Sequence, residues 1–254
     1  MPLHESIDDG TATIVMDNPP VNAMGISDTF ALATLLDGYR NRPEVRVVVL
    51  AAEGRGFCAG VDIVEIQSLP GNEGILEANR SCFEAFRAVY ECAVPVVAAV
   101  NDFCLGTGIG LAGNADVIVA AEAARFGLPE VDNGALGAAT HLQRLVPAHR
   151  ARWMLYSCEQ ATAEELHAYG SVLRVVHADR LRSTALEVAT VIAAKDPQVV
   201  RAAKSSLNGI DPVDVRRSYR YEQGYTFELN LLGRGDEARD AFLRGERNPD
   251  TTAD

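Results

Sequence analysis

A glycine-rich turn and a lone acidic residue stand close together in the middle of the chain, separated by one short apolar segment. The acid is Glu130, and the glycines are Gly106, Gly108, Gly110 and Gly113. Backbone N–H groups at the start of a helix are free to bind negative charge, and glycines let a ligand approach them closely. A carboxylate beside such N–H groups could move a proton while they stabilise an oxyanion. These residues are therefore the predicted active site.

The elements around these residues are predicted to bring them together. The apolar runs at residues 94–100 and 116–121 are typical of buried strands, with room for only a short helix between them. A further buried strand at 45–52 is followed by the loop 53–63, which is again rich in glycine. Because open α/β sheets bind ligands beyond the carboxyl ends of their strands, both glycine loops are expected to border one site.

The rest of the chain predicts a strand at 11–17, a helix capped by Ser27, and a helix at about 78–92 with Phe86 in its apolar stripe. Beyond residue 136 the pattern is mostly helical. The polar end of the chain, residues 248–254, is expected to fray.

Composition and charge exclude several classes of partner. The formal net charge of −12 argues against nucleic acid or an anionic membrane surface as a partner. No stretch approaches the length of a membrane span, and the N-terminus lacks the basic start and apolar segment of an export signal. The five cysteines are odd in number and never spaced as CxxC, and no histidines show metal-ligand spacing. We predict a cytoplasmic protein with reduced thiols and no metal.

The same residues allow other interpretations. The glycines from Gly108 to Gly113 match GxGxxG, but a strand begins three residues past Gly113, which leaves no room for the crossover helix of a nucleotide-binding fold. A packing role for the glycines stays open. Glu130 could be a solvated loop charge, and Asp132 could be its partner or a surface residue. Of the histidines, only His141 lies near the predicted site in sequence.

Three segments carry a resemblance to a known family. GFCAGVDI at residues 56–63, the segment 94–131 and the helical tail resemble the enoyl-CoA hydratase/isomerase, or crotonase, superfamily over about residues 11–242. The resemblance implies an α/β fold, namely a crotonase-like spiral of ββα units with a helical C-terminal region. It divides the chain into a core at 1–195 and a C-terminal region at 196–254 that closes the pocket and mediates oligomerisation. It also implies homotrimers or homohexamers, an acyl-coenzyme A thioester as substrate, and no cofactor beyond that coenzyme A.

The resemblance also implies roles for individual residues. The N–H groups of Val61 and Thr107 would grip the thioester oxygen, with Thr107 replacing a glycine usual at that place. Glu130 matches one of the two glutamates of the hydratases, whereas the other falls on Gly110, which has no side chain. The predicted catalytic residues are Glu130, Asp132, Val61 and Thr107. The predicted substrate-binding residues are Ala59, Gly60, Asp62, Ile63, Gly106, Gly108 and Gly110.

The lack of a second carboxylate at Gly110 argues against ordinary hydration of a double bond. Ordinary hydration would require Glu130 both to activate water and to protonate carbon. The segments 86–95, 134–141 and 219–231 are similar to family members that hydrolytically open a ring of a bicyclic acyl-coenzyme A in actinobacterial steroid breakdown. We therefore predict hydrolytic cleavage of a carbon–carbon bond, in which Glu130, directly or through Asp132, activates water to attack a ring ketone β to the thioester.

Three other activities stay open. They are a double-bond isomerase, a hydratase that uses a water in the space left by Gly110, and a non-catalytic acyl-coenzyme A-binding subunit.

Overall fold

The computed structural model describes residues 3–246, and the predicted frayed end at 248–254 lies outside them. The described strands are β1 (Leu3–Asp8), β2 (Thr11–Met16), β3 (Val47–Ala52), β4 (Val96–Val100), β5 (Phe103–Leu105), β6 (Val117–Ala121), β7 (Arg125–Gly127), β8 (Ala161–Thr162) and β9 (Arg174–Val176). The α-helices are α1 (Ile26–Gly38), α2 (Ile63–Ser68), α3 (Glu73–Tyr90), α4 (Thr107–Ala112), α5 (Ala139–Leu142), α6 (Ala148–Ser157), α7 (Ala163–Ala168), α8 (Leu181–Ala193), α9 (Pro197–Ile210), α10 (Val215–Leu231) and α11 (Arg234–Leu243). None of these helices is long and apolar enough to cross a bilayer.

A six-stranded sheet with the order β1-β2-β3-β4-β6-β9 forms the centre of the fold. Its strands are parallel except for the antiparallel pair β1 and β2. Every residue of β3 and β4 is buried, because helices cover both faces. Val48 and Leu50 share a core with α1 and α3, whereas Val47 and Val49 share a second core with α8. The uninterrupted apolar runs in the sequence follow from this two-sided burial.

The chain passes along a smaller sheet, with the order β5-β7-β8, after three of the central strands, β3, β4 and β6. Strand β4 leads through β5 into α4, and β6 leads through β7 toward α5. After β3, Cys58 pairs in parallel with Cys104 of β5 before the chain enters α2. The same strand–strand–helix path thus occurs three times in succession, which confirms the predicted α/β spiral of ββα units.

The start of α1 differs from the prediction. Ser27 is exposed and does not cap the helix, so that prediction was wrong. The N-cap is Gly25, and Glu65 from α2 accepts a hydrogen bond from the Ile26 N–H at 2.8 Å. A carboxylate distant in sequence satisfies a helix-terminal donor that a local hydroxyl was expected to satisfy.

The helix α10 links the C-terminal region to the rest of the chain through a row of polar side chains. Gln223 Nε2 donates to the Asn79 carbonyl at 2.7 Å, and Thr226 Oγ1 accepts from the N–H of Leu136 at 3.3 Å. Since residues three or four apart share one helix face, this face of α10 contacts both α3 and the loop before α5. The boundary at residue 195 stays a prediction.

Candidate active site

Three parallel chain segments end at one edge of the small sheet. Strand β5 pairs in parallel with β7, and along its other side Cys58 pairs in parallel with Cys104. Because parallel segments present their carboxyl ends together, the residues that follow them meet at one place. These residues are Val61, Thr107 and Glu130.

The N–H groups of Val61 and Thr107 are free to bind a ligand. Met24 bonds to both neighbours of Val61: it donates to the Gly60 carbonyl at 2.8 Å and accepts from the Asp62 N–H at 2.9 Å. Since successive N–H groups of an extended segment point to opposite sides, the Val61 N–H faces away from Met24. Thr107 is the first residue of α4, where an N–H has no intrahelical acceptor. Neither amide has a hydrogen-bond partner in the described part of the chain.

Glu130 places its carboxylate beside Gly106. Oxygen Oε1 lies 2.8 Å from the point where a side-chain carbon on Gly106 would stand, and Gly60 Cα lies 3.4 Å from that point. The two amide-bearing loops therefore touch next to the carboxylate. Gly106 has φ 53° and ψ −109°, a conformation that other residues adopt only with strain. Both the backbone conformation and the approach of the carboxylate thus require glycine here.

A cavity of about 100 Å³ opens at this edge. Its lining residues are Val61, Ile66, Ile75, Ala78, Asn79, Cys82, Phe86, Gly106, Thr107, Glu130, Ala135, Leu136, Gly137, Ala138, Tyr219 and Thr226. Among these described residues, Glu130 carries the only carboxylate. The cavity thus combines two free amides, one acid and otherwise uncharged walls.

Burial raises the pKa of Glu130 to about 8. Its Oε2 has no contact with solvent and no hydrogen-bond partner within the described residues. The charge of Glu222 on α10 also raises the pKa of Glu130, whereas the backbone N–H of Glu130 itself lowers it. A carboxyl group with a pKa near neutral pH can accept a proton and return it in one catalytic cycle.

Asp132 lies outside the cavity, although it follows Glu130 closely in sequence. Its side chain is exposed. Burial and the negative charge of Asp132 raise the pKa of Cys158, whereas the backbone N–H of Asp132 lowers it. Asp132 does not belong to the lining residues. Its role in proton transfer stays a prediction.

The space beside Gly110 is filled by an aromatic ring. A side-chain carbon on Gly110 would lie 2.1 Å from Cζ of Phe86, whose side chain is 1% exposed. A water molecule therefore has no room there. The hydratase alternative that relied on a water in the space left by Gly110 was wrong in this respect.

His141 lies behind Phe86 and does not line the cavity. The two rings are in edge contact, with centroids 4.8 Å apart. Asn114 Nδ2 donates to the Gly110 carbonyl at 2.7 Å and lies 2.9 Å from His141 Nδ1, which must therefore accept. Burial lowers the pKa of His141 to about 3, so the ring is neutral at neutral pH. His141 is a packing residue.

The glycines within and after α4 allow close packing. A side-chain carbon on Gly108 would lie 3.0 Å from the Cys58 carbonyl oxygen, and one on Gly113 would lie 2.6 Å from the His141 carbonyl oxygen. Protein atoms thus occupy the space that a phosphate would need. This supports the packing interpretation for Gly108 and Gly113, in contrast to Gly106, which faces the cavity.

The other predicted substrate-binding residues flank the cavity. The Ala59 N–H donates to the Val21 carbonyl at 3.1 Å, and Asp62 Oδ1 caps α2 by accepting from the Glu65 N–H at 3.1 Å. The predicted residues that line the cavity are Val61, Gly106, Thr107 and Glu130, whereas Ala59, Gly60, Asp62, Ile63, Gly108 and Gly110 do not. The substrate-binding roles of these residues stay predictions.

The sequence predicts that the segment 68–78 and the C-terminal helices line the acyl pocket, but it did not identify the rest of the wall that α3 contributes. Ile75, Asn79, Cys82 and Phe86 line the cavity with the three- to four-residue spacing of one helix face. Cys82 Sγ lies 3.8 Å from Thr107 Oγ1, so this face contacts the start of α4. The spacing was visible in the sequence, but nothing there showed that this face of the helix borders the site.

A second, larger groove of about 660 Å³ runs along α10 and shares Leu136 with the cavity. Its lining includes Tyr221, Tyr225 and Glu222, but neither Glu130 nor the two free amides. The smaller cavity is the candidate site because Glu130 and the two free amides line it together.

Comparison with known proteins places these features in context. The sequence model of the enoyl-CoA hydratase/isomerase family matches residues 6–225. The fold resembles a crystal structure of an enoyl-CoA hydratase/isomerase from Xanthobacter autotrophicus, with a TM-score of 0.90 and 23% identity, covering 99% of this chain and 98% of that one. This likeness concerns the fold alone.

Two curated relatives are similar over most of their length. One, from Rhodococcus jostii, is 59% identical over 236 residues, which are 92% of this chain and 91% of the relative. The other, from Mycobacterium tuberculosis, is 56% identical over 235 residues, which are 92% of this chain and 95% of the relative. Both are named (7aS)-7a-methyl-1,5-dioxo-2,3,5,6,7,7a-hexahydro-1H-indene-carboxyl-CoA hydrolase.

Proposed function

The chain belongs to the enoyl-CoA hydratase/isomerase family, and on that premise we propose that it hydrolyses a ring carbon–carbon bond of a bicyclic acyl-coenzyme A ester in steroid breakdown. The observation that carries the proposal is the carboxylate of Glu130, whose Oε2 is shielded from solvent, beside two free amides in a cavity whose described lining residues include no second acid. The two curated relatives are hydrolases of an indene-carboxyl-coenzyme A. The substrate of this chain is therefore taken from the same chemical class.

The thioester oxygen binds between the N–H groups of Val61 and Thr107. Each donor to a developing oxyanion lowers the barrier by roughly 3–4 kcal/mol when it is held in place before the reaction. The bonds of Met24 to Gly60 and Asp62 hold the Val61 amide in its orientation. The positive end of α4 adds to the field at the Thr107 amide.

Glu130 activates the water. It takes a proton from water as the oxygen adds to the ring ketone β to the thioester. The bond between this ketone carbon and the α carbon of the thioester then breaks, which leaves a carboxylic acid and an enolate bound to the two amides. Glu130 returns the proton to the α carbon, so that the product contains one water more than the substrate and no further cofactor is needed.

The turn between α2 and α3 must move when the acyl group binds. Ligand sites usually enclose about 300–1,000 Å³, and the cavity of about 100 Å³ is too small for a bicyclic group. Ile66 and Ile75 line the cavity on either side of this turn, and Pro70 and Gly71 within it are exposed. Outward movement of the turn would therefore enlarge the acyl end while leaving the amides in place.

A double-bond isomerase is the second candidate. An isomerase moves one proton along the acyl chain, and a single carboxylate with a pKa of about 8 suits that task. A panel of thioesters separates the possibilities. The ring-containing ester is expected to gain 18 mass units and a carboxylic acid, whereas 3-enoyl- and crotonyl-coenzyme A are expected to remain unchanged. Conjugation of the 3-enoyl ester would favour the isomerase, and tight binding without any reaction would favour a non-catalytic subunit.

We expect the chain to assemble as a homotrimer or homohexamer in the cytoplasm. The C-terminal helices expose large apolar side chains, including Tyr221 (70% exposed) and Leu231 (75% exposed) on α10. Exposed apolar surface of this kind is typical of protein–protein interfaces. The five cysteines, all within the described residues, are free thiols, which suits a reducing compartment. Light scattering is expected to give a mass of three or six chains, and a monomer at micromolar concentration would contradict this.

A further inference from the structure

The ring of Phe86 packs directly against the backbone of Gly110. Gly110 lies in α4 and Phe86 in α3, and a side-chain carbon on Gly110 would lie 2.1, 2.3 and 2.4 Å from three atoms of the Phe86 ring. Such separations are far below van der Waals contact. No side chain fits at position 110 unless the ring moves.

The ring is held on two sides. Its centroid lies 4.8 Å from that of His141 and 5.2 Å from that of Tyr219, and the rings of His141 and Tyr219 are themselves 4.8 Å apart. Phe86 is 1% exposed, so it cannot swing into solvent without opening the core. The three rings form one packed cluster against the backbone of Gly110.

The backbone of Gly110 is tied to the same cluster. Asn114 Nδ2 donates to the Gly110 carbonyl and to His141 Nδ1. One side-chain amide therefore holds both the backbone of α4 and the His141 ring, which packs against Phe86. Ring and glycine therefore keep their relative position. The Phe86 ring also lines the cavity, where it presents an apolar surface on the side of Gly110.

We propose that Phe86 determines the reaction specificity of this chain by occupying the volume that a second catalytic carboxylate at position 110 would need. Addition of water to a double bond in one step uses one group to activate water while a second protonates carbon, whereas in the proposed hydrolysis Glu130 acts in two successive steps. With Phe86 in place, the cavity has Glu130 on one side and neither an acid nor room for a water beside Gly110. The inference rests on the proposed use of Glu130 and the two amides for acyl-coenzyme A chemistry, but not on the ring-containing substrate.

The steric part of the proposal is tested by a stability cycle. Gly110→Ala is expected to lower Tm in the wild-type background, because the new methyl group overlaps the ring. In the Phe86→Ala background the same substitution is expected to be neutral or stabilising, since alanine favours helices over glycine. Gly224→Ala on α10, where a side-chain carbon meets no atom within 4 Å, is the matched control and is expected to raise Tm slightly in both backgrounds. Equal effects of Gly110→Ala in both backgrounds would overturn the proposal.

The chemical part is tested by hydration of crotonyl-coenzyme A. Phe86→Ala/Gly110→Glu is expected to hydrate it about 10²-fold faster than the wild type, whereas Phe86→Ala and Gly110→Glu alone remain at background. Equal activity of Gly110→Glu alone would show that Phe86 is no barrier. A double variant that folds and binds crotonyl-coenzyme A without hydrating it would also overturn the proposal. If this double variant does not fold, Phe86→Leu/Gly110→Asp is used with the same expected gain, and the stability cycle decides the steric claim in either case.

These assays do not depend on the ring-opening substrate. If the wild type fails to cleave the ring-containing ester, the proposed function fails, whereas the stability cycle and the gain of hydration still report on Phe86.

Discussion

Glu130→Gln is expected to lower kcat on the ring-containing ester by about 10²-fold or more, because glutamine keeps the size of the side chain but cannot accept a proton. The cavity offers no other described carboxylate to replace it. Binding of the acyl-coenzyme A should persist, since the free amides of Val61 and Thr107 are unchanged. Steady-state kinetics and calorimetric titration with a product analogue measure the two effects separately.

Two further variants make this result specific. Glu228→Gln, at an exposed position of α10, is the control and should keep wild-type turnover. Asp132→Asn separates direct action of Glu130 from action through Asp132: a loss as large as that of Glu130→Gln would indicate a relay. Wild-type kcat in Glu130→Gln would remove Glu130 from the mechanism.

The same assignment sets the pH dependence of the wild type. A base must be ionised, and burial holds the pKa of Glu130 at about 8, so the active form disappears as the pH falls. Between pH 8 and pH 6 we expect kcat/KM to decrease about 50-fold, which is the change in the ionised fraction of such a group. If kcat/KM does not change between pH 8 and pH 6, either the pKa of Glu130 lies outside this range or Glu130 does not act as the base.

Gly106→Ala is expected to lower kcat by about 10²–10³-fold, the loss that follows removal of one oxyanion donor. The added carbon would stand 2.8 Å from Oε1 of Glu130, so either the carboxylate or the backbone must shift. A shift of the carboxylate displaces the base, and a shift of the backbone turns the Thr107 amide. Both outcomes reduce turnover, and kinetics together with Tm detects them.

Gly170→Ala is the matched control for this variant. Gly170 also has a positive φ, 85°, but a side-chain carbon there meets no atom within 4 Å. Both alanines incur a backbone strain of roughly 1–3 kcal/mol, so both should lower Tm. Only Gly106→Ala should lose activity in the protein that remains folded. If both variants keep wild-type kcat, Gly106 does not support the oxyanion site.

The inner strands β3 and β4 of the central sheet were predictable because both of their faces are buried, whereas the largely exposed edge strand β1 was not predicted. The predicted strands at 45–52 and 94–100 contain β3 and β4, whose residues are all buried and largely β-branched. The short strands β5, β7 and β8 were not predicted. Two or three residues carry no periodicity of their own, and their pairing depends on segments that fold next to them.

The sequence by itself determined the chemical inventory of the site. Glu130 follows a turn of apolar residues close to the glycine loops, a property that depends on residue types and short spacings, which are local. The roles of the Val61 and Thr107 amides and the lack of a second acid at Gly110 are what the resemblance to the family implies. Family membership followed from the same residues, because motifs of this length are specific in combination.

Only the tertiary structure decided what surrounds these groups. It placed Asp132 at the surface, put the ring of Phe86 into the space beside Gly110, and brought Tyr219 of α10 to the cavity wall. Each of these outcomes depends on packing between elements far apart in the chain. Which face of α3 or α10 borders the cavity is determined by how whole helices pack, and no short stretch of sequence contains that information.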